Sequence, residues 1–207
     1  MSGSQAQPYK LSFLTGGLLS KEAIPVASTF LAIGDWAKTR AAARERNLVQ
    51  QRTDSSTLRV SREVVNRLAT LGDDELRLVV DGTASERGQL LWSAVCRQYL
   101  LVEEFAREVV RERFILLTPT LTYDEYDSFM RSKALWHEEL ERITPSTYKK
   151  LRTQLFRMLR DAELVSPGGR IVQPVMSTRV VDLLRRRGPD SLTVFPIPAT
   201  ENGLVIP

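Results

Sequence analysis

The sequence predicts a mainly α-helical protein: an N-terminal helical bundle followed by a C-terminal winged helix-turn-helix with a short β-hairpin wing. Three observations carry this. Apolar residues recur at three- and four-residue spacing through most of the first 118 positions. A capped, strongly basic helix starts at Thr144-Pro145. Directly after it, a Pro167-Gly168-Gly169 turn separates short runs of strand-type residues.

The helices follow in order. Ser20 starts one that runs through Ile33, and a second spans Asp35 to about Arg46, rich in alanine. Ser56 caps a third, whose stripe is Val60, Val64, Val65, Leu68 and Leu71. Asp73 caps a short fourth, which stops at Asp81-Gly82. Ser85 opens a long fifth toward Arg113, with Leu90, Leu91, Ala94, Val95, Leu101, Val102, Phe105, Val109 and Phe114 on one stripe. The period stops before Pro119, which marks a domain boundary. Thr122 and Glu125 then form a capping box for a sixth helix, with Tyr126, Phe129, Met130 and either Leu135 or Trp136 facing inward.

The helix from Thr144 to Ala162 has two faces. Tyr148, Leu151, Leu155, Met158, Leu159 and Ala162 fall on the core side. Ser146, Lys149, Lys150, Thr153, Gln154, Arg157 and Arg160 fall on the other, with Thr147 in the first turn and Arg152 on the flank. Cations neutralise phosphates, Arg and Lys pair with guanine edges, and Gln pairs with adenine. Residues 163–174 read as two short strands around a turn, with Gly168 and Gly169 at its tip and Arg170 just past it. Ser177 caps a last helix that ends in Arg185-Arg186-Arg187, a run that suits either the helix dipole or a phosphate. The expected organisation is a disordered lead-in over 1–10, a helical domain over 11–118, the winged domain over 119–188, and an extended tail over 189–207 that packs on the body or on a partner.

Charge is unevenly placed. The chain of 207 residues carries +4 overall, but residues 34–68 carry +4, residues 69–143 carry −6, and residues 144–187 carry +7. A local basic block of that size points to a polyanion. The acidic middle reads as a solvated exterior or a docking face for a basic partner.

Several classes of function are excluded. One cysteine, Cys96, and one histidine, His137, leave no paired-ligand zinc site, so no metal is expected. Cys96 reads as a buried small hydrophobe. Glu138 and Glu139 are adjacent and diverge on a helix, so they do not form an acid–base pair. No phosphate-cradling glycine motif follows Gly16-Gly17, and no cofactor or small-molecule substrate is expected. The longest uncharged apolar run, Ala23 to Gly34, is 12 residues, short of the roughly 20 that span a membrane. With no signal-peptide pattern at the N-terminus, a cytoplasmic, non-catalytic protein without membrane partners is expected.

Ser12-Phe-Leu-Thr-Gly-Gly-Leu-Leu19, Asn47-Leu-Val-Gln-Gln-Arg52, Ser56-Thr57, Arg67-Leu68 and the helix and hairpin from Thr144 onward occur in an order and spacing that resembles the BrxA family, small accessory proteins of BREX bacteriophage-defence systems. The likeness runs from about Leu11 to Leu184 and leaves out the tail. It implies a helical N-terminal part joined to a winged helix-turn-helix, and binding to double-stranded DNA, with other BREX proteins as further partners. It brings no catalytic residue set. The expected DNA-contacting residues (Ser146, Thr147, Lys149, Lys150, Thr153, Gln154, Arg157, Arg160, Gly168, Gly169 and Arg170) come from the helical-wheel and turn arguments. Two other readings stand beside DNA binding: an RNA-binding, antitermination-like protein that uses the basic block Lys38 to Arg67, and an adaptor that docks other defence proteins.

Overall fold

The computed structural model describes residues 8–198. The chain folds as α1 (Ser20–Ile33), α2 (Trp36–Glu45), α3 (Asp54–Leu68), α4 (Asp73–Asp81), α5 (Ala84–Gln98), α6 (Leu100–Phe105), a π-helical turn (Ala106–Arg111), α7 (Glu112–Ile115), α8 (Tyr123–Ala134), α9 (Glu138–Glu141), α10 (Pro145–Asp161), α11 (Thr178–Arg186) and a 3₁₀ turn (Pro189–Leu192). The mainly helical class is therefore as the periodicity implied.

α5 is the centre. Gly88 to Cys96 are all buried, the polar Gln89 and Ser93 included. α3, α4, α10 and α11 all pack on it, and α1 lies across α2, α3 and α4. The caps explain where the helices begin. Asp35 accepts from the Lys38 N–H at 2.9 Å, and Ser177 accepts from the Val180 N–H at 3.4 Å. Thr122 and Glu125 form the expected box.

Three starts differ from expectation. Thr53, not Ser56, caps α3; Thr83, not Ser85, caps α5, because Glu86 reaches back to the Thr83 N–H at 2.9 Å. Gly72, not Asp73, precedes α4: the Glu75 carboxylate accepts the Gly72 N–H at 2.8 Å, so no side-chain cap is needed.

The long fifth helix is broken. Tyr99 leaves the helical region (φ −129°, ψ 97°) and the chain resumes as α6. The departure turns the Tyr99 hydroxyl onto buried Glu63, 2.7 and 2.8 Å from its two oxygens. Leu135 and Trp136 do not face inward; they are 77% and 81% exposed, because α8 ends at Ala134 and the apolar stripe stops with Met130.

The two strands of the wing are not formed among the described residues. Two isolated bridges, Val165 with Ile171 and Thr120 with Arg170, take their place. Ile171 donates to Pro119 O at 2.6 Å and Leu121 donates to Gly169 O at 2.7 Å, so the segment shares its pairing with the 119–121 connection. Pro167 and Pro174 lack N–H donors and limit any longer ladder.

At the N-terminal end, residues 1–7 of the expected lead-in lie outside the described residues. Tyr9 is buried, its ring stacked on His137 at 3.9 Å and its N–H given to Glu139 at 2.7 Å. The tail packs on the body as far as it is described: Leu192, Val194 and Phe195 are buried, and Trp92 Nε1 donates to Val194 O at 2.9 Å. Residues 199–207 lie outside the described residues.

Glu86 ties α5 to α11. Its carboxylate accepts from the Ser177 hydroxyl (2.7 Å), the Thr83 N–H and the Arg179 guanidinium (3.0 Å). Those donors, the serine first, hold its pKa at about 2, against an ordinary 4.5. A carboxylate depressed in the folded state contributes stability that is complete above its unfolded pKa and is lost as pH falls toward the folded one. The melting temperature is therefore expected to drop as pH is lowered from about 4.5 toward about 2. Glu86→Gln should melt lower than wild type at neutral pH, and the gap should close across that window; a gap that stays constant with pH would contradict the assignment.

Candidate nucleic-acid interface

α10 begins where local chemistry dictates. Thr144 accepts the Thr147 N–H at 3.2 Å, and Pro145 occupies the first helical position, where a missing N–H costs nothing. Leu151, Leu155, Phe156, Met158 and Leu159 are buried. The flank is held by α8: the Tyr148 hydroxyl donates to Asp127 at 2.8 Å, and Arg152 pairs with the same carboxylate at 3.1 Å while lying 4.1 Å over the Tyr123 ring.

Six of the expected DNA-facing residues share one outward strip. At 100° per residue, Ser146, Lys149, Lys150, Thr153, Arg157 and Arg160 fall within about 100° of arc, and all six are exposed. Lys149, Lys150 and Arg160 form no ion pair among the described residues. Thr153 bonds its own helix, giving its hydroxyl proton to Lys149 O at 2.9 Å. Thr147 is half-buried and takes part in the cap.

Gln154 is placed differently from the expectation that it faces a base edge. It sits at the edge of the strip, half-buried, and its carbonyl accepts the Gly17 N–H at 3.2 Å. Asp161 accepts the Leu18 N–H at 3.0 Å and draws the Arg157 guanidinium to 3.9 Å. The segment Thr15–Leu18 thus lies along the C-terminal half of α10. Its other side is gripped by α3: Arg67 donates to Gly17 O at 2.7 Å and to Thr15 O at 3.3 Å. Arg67 is itself buried and paired with Glu63 at 2.6 Å.

The turn residues form a separate group. Gly168 and Arg170 are exposed; Gly169 is half-buried at φ 81°. A side chain at 169 would sit 2.8 Å from Leu121 O, so glycine is required there. No hydrogen bond joins this turn to the polar strip of α10 among the described residues.

Much of the basic C-terminal block is engaged internally. Arg187 bonds the buried Glu75 at 2.9 Å, which Arg97 also holds at 2.8 Å; these partners keep the Glu75 carboxyl below its usual range although burial opposes its charge. Arg186 lies 3.9 Å from Asp74, and Arg179 is on Glu86. Arg179 and Arg186 nonetheless remain 64% and 65% exposed, and Lys149, Lys150, Arg160 and Arg170 are exposed as well.

With this geometry in view, the comparison with known proteins is specific. A model of the BrxA family matches residues 7–188. The chain belongs to the BrxA family. A BREX protein BrxA from Escherichia coli O9:H4 (strain HS) is 26% identical over 163 residues, 78% of this chain and 76% of its own. Another from Bacillus cereus (strain H3081.97) is 26% identical over 145 residues, 69% of this chain and 72% of its own. A solved structure of an uncharacterized protein from Magnetospirillum magneticum superposes with a TM-score of 0.76 at 23% identity, covering 92% of this chain and 98% of that one. That likeness establishes the shared fold.

The segments that suggested BrxA acquire reasons. Ser12–Leu19 supplies buried Phe13 and the clamped Thr15–Leu18 backbone. Asn47, at φ 45°, receives the Gln51 N–H and the Thr57 hydroxyl on its side-chain oxygen, which closes the α2–α3 turn. Sequence reasoning overlooked Glu63 and Tyr99, and the buried, internal role of Arg67. Their signal was present: a Glu and an Arg four apart beside the apolar stripe of α3.

Gly17 is the tightest point of the clamp. A Cβ there would lie 2.0 Å from Asp161 Oδ2, and the backbone has φ +22°. Gly17→Ala is expected to lower stability by about 1–3 kcal/mol, read as a lower urea midpoint, whereas Gly168→Ala, which would meet no atom closer than 3.9 Å, should change it far less. Equal midpoints for the two variants would refute the clamp.

Proposed function

We propose that this BrxA-family chain is a non-catalytic, double-stranded DNA-binding protein of a BREX bacteriophage-defence system, working in the cytoplasm beside other BREX proteins. The observation that carries the reading is the exposed strip of α10. Lys149, Lys150, Arg157 and Arg160 share it with hydroxyl groups, and Asp161, at the end of the helix, accepts the Leu18 N–H and draws the Arg157 guanidinium. In this reading α8 to α10 form a helix-turn-helix with α10 in the major groove, and Gly168–Arg170 is a rudimentary wing along the backbone. The curated relatives are BREX proteins, which supports the same setting.

The absence of catalysis is supported by how the reactive side chains are used. His137 is stacked under Tyr9 and bonded to Glu139 at 3.0 Å. Cys96 is buried, and burial pushes its thiol pKa well up, away from a nucleophilic thiolate. A docking role is the second reading, favoured by exposed Leu135 and Trp136 beside Glu138 and Glu141.

Binding to a labelled random-sequence duplex, measured at several salt concentrations, tests the DNA reading. Affinity should fall log-linearly with salt, and Lys149→Ala/Lys150→Ala should weaken binding and lower the slope by about 2, near 0.9 for each phosphate no longer neutralised. Unchanged affinity and slope in that variant would sink the assignment of α10.

A further inference from the structure

The second basic block, residues 34–68, meets the Thr15–Leu18 clamp through Arg67, while α10 meets it through Gln154 and Asp161. Charge on α3 is sorted by the fold. Glu63 is buried and neutralised by Arg67, so the exposed residues from Ser55 to Ala69 include Arg59 and Arg62 and no carboxylate. Arg40 of α2 reaches over to α3 and bonds the neutral Asn66 at 3.0 Å, and it forms no ion pair among the described residues. Asn66, Arg62 and Arg59 are spaced by four and three residues, so they share one strip of α3. Arg59 and Arg62 form no ion pair among the described residues. Glu45 and Asp54 sit at the other end of this helix pair, where they line a cavity of about 460 Å³ with Ala41, Arg44 and Thr57; Asp35, at the near end, is used in capping α2.

This strip is structurally joined to α10. Arg67 on α3 and Gln154 on α10 bond the two sides of the same residue, Gly17, at 2.7 and 3.2 Å. One strand of backbone therefore separates the two helices at that point, and two cationic faces are fixed in a single framework.

We infer that the Arg40–Arg59–Arg62 strip is a second phosphate-binding surface, which holds the backbone of duplex DNA flanking the stretch that α10 engages. This rests on the DNA reading of α10. Three guanidiniums around Asn66, whose amide oxygen is taken by Arg40, bind phosphates without regard to sequence. A duplex carries one negative charge per roughly 1.7 Å, so a longer duplex offers this strip phosphates that a short one lacks.

The experiment uses the full chain and random-sequence duplexes of about one and about four helical turns, near 10 and 40 base pairs. Wild type should bind the long duplex more tightly and with the steeper salt slope. Arg59→Ala/Arg62→Ala should lose most of that advantage, lowering the slope on the long duplex by about 2 and leaving the short duplex unchanged. Both side chains are exposed, so an unaltered melting temperature verifies the fold. If the arginine variant matches wild type on the long duplex while Lys149→Ala/Lys150→Ala loses binding, the inference fails and the α10 reading stands. If both variants match wild type, both fail. If the arginine variant loses binding to a hairpin RNA of equal charge and keeps the duplex, the strip is an RNA surface and the inference is overturned.

Discussion

The structure depends on one buried charge pair. Glu63 and Arg67 sit one helical turn apart on α3, both nearly inaccessible to water. Burying two ions is costly, and the pair persists only if the remaining lone pairs and protons find partners. Here they do. Tyr99 gives its hydroxyl to Glu63, which obliges α5 to end and α6 to begin. Arg67 directs its other donors to the carbonyls of Thr15 and Gly17. The same short segment gives its N–H groups to Gln154 and Asp161. From one pair follow a helix break, the path of the N-terminal segment and the seat of α10.

Arginine serves two purposes in this molecule. Arg67, Arg97, Arg152 and Arg187 are internal fasteners that meet carboxylates or carbonyls with planar, multi-pronged donors. Arg59, Arg62, Arg160 and Arg170 point into solvent. A net charge counted along the chain merges the two. The +7 of residues 144–187 is reduced, in its effect on a polyanion, by every arginine that already has an acidic neighbour.

The caps at Thr122, Thr144 and Ser177 were legible in the sequence because a cap is decided within four residues. The apolar stripes of α3 and α10 were legible for a similar reason, since helical period assigns them, although Phe156 of α10 and the polar Glu63 and Arg67 of α3 are buried as well. What escaped was set by distant partners. Tyr99 looks like one more apolar position until Glu63, 36 residues earlier, is brought beside it. Gln154 reads as a base-contacting amide until Gly17, 137 residues away, occupies it. The hairpin was over-read: valine and isoleucine around a Pro-Gly turn favour strands, but the donors of this segment are divided between its own return and residues 119–121.

The bond between Leu18 and Asp161 also bears on how the chain is made. A ribosome delivers the N-terminal helices first, and domains tend to fold as they emerge. Yet Gly17 and Leu18 receive their acceptors only when residues 154 and 161 have been synthesised, and Tyr9 must wait for Glu139. The change of composition near residue 118 is thus not a seam in the hydrogen bonding. The nascent N-terminal half leaves the tunnel with Arg67 able to hold Thr15 and Gly17 from one side only, and closure of this segment awaits α10.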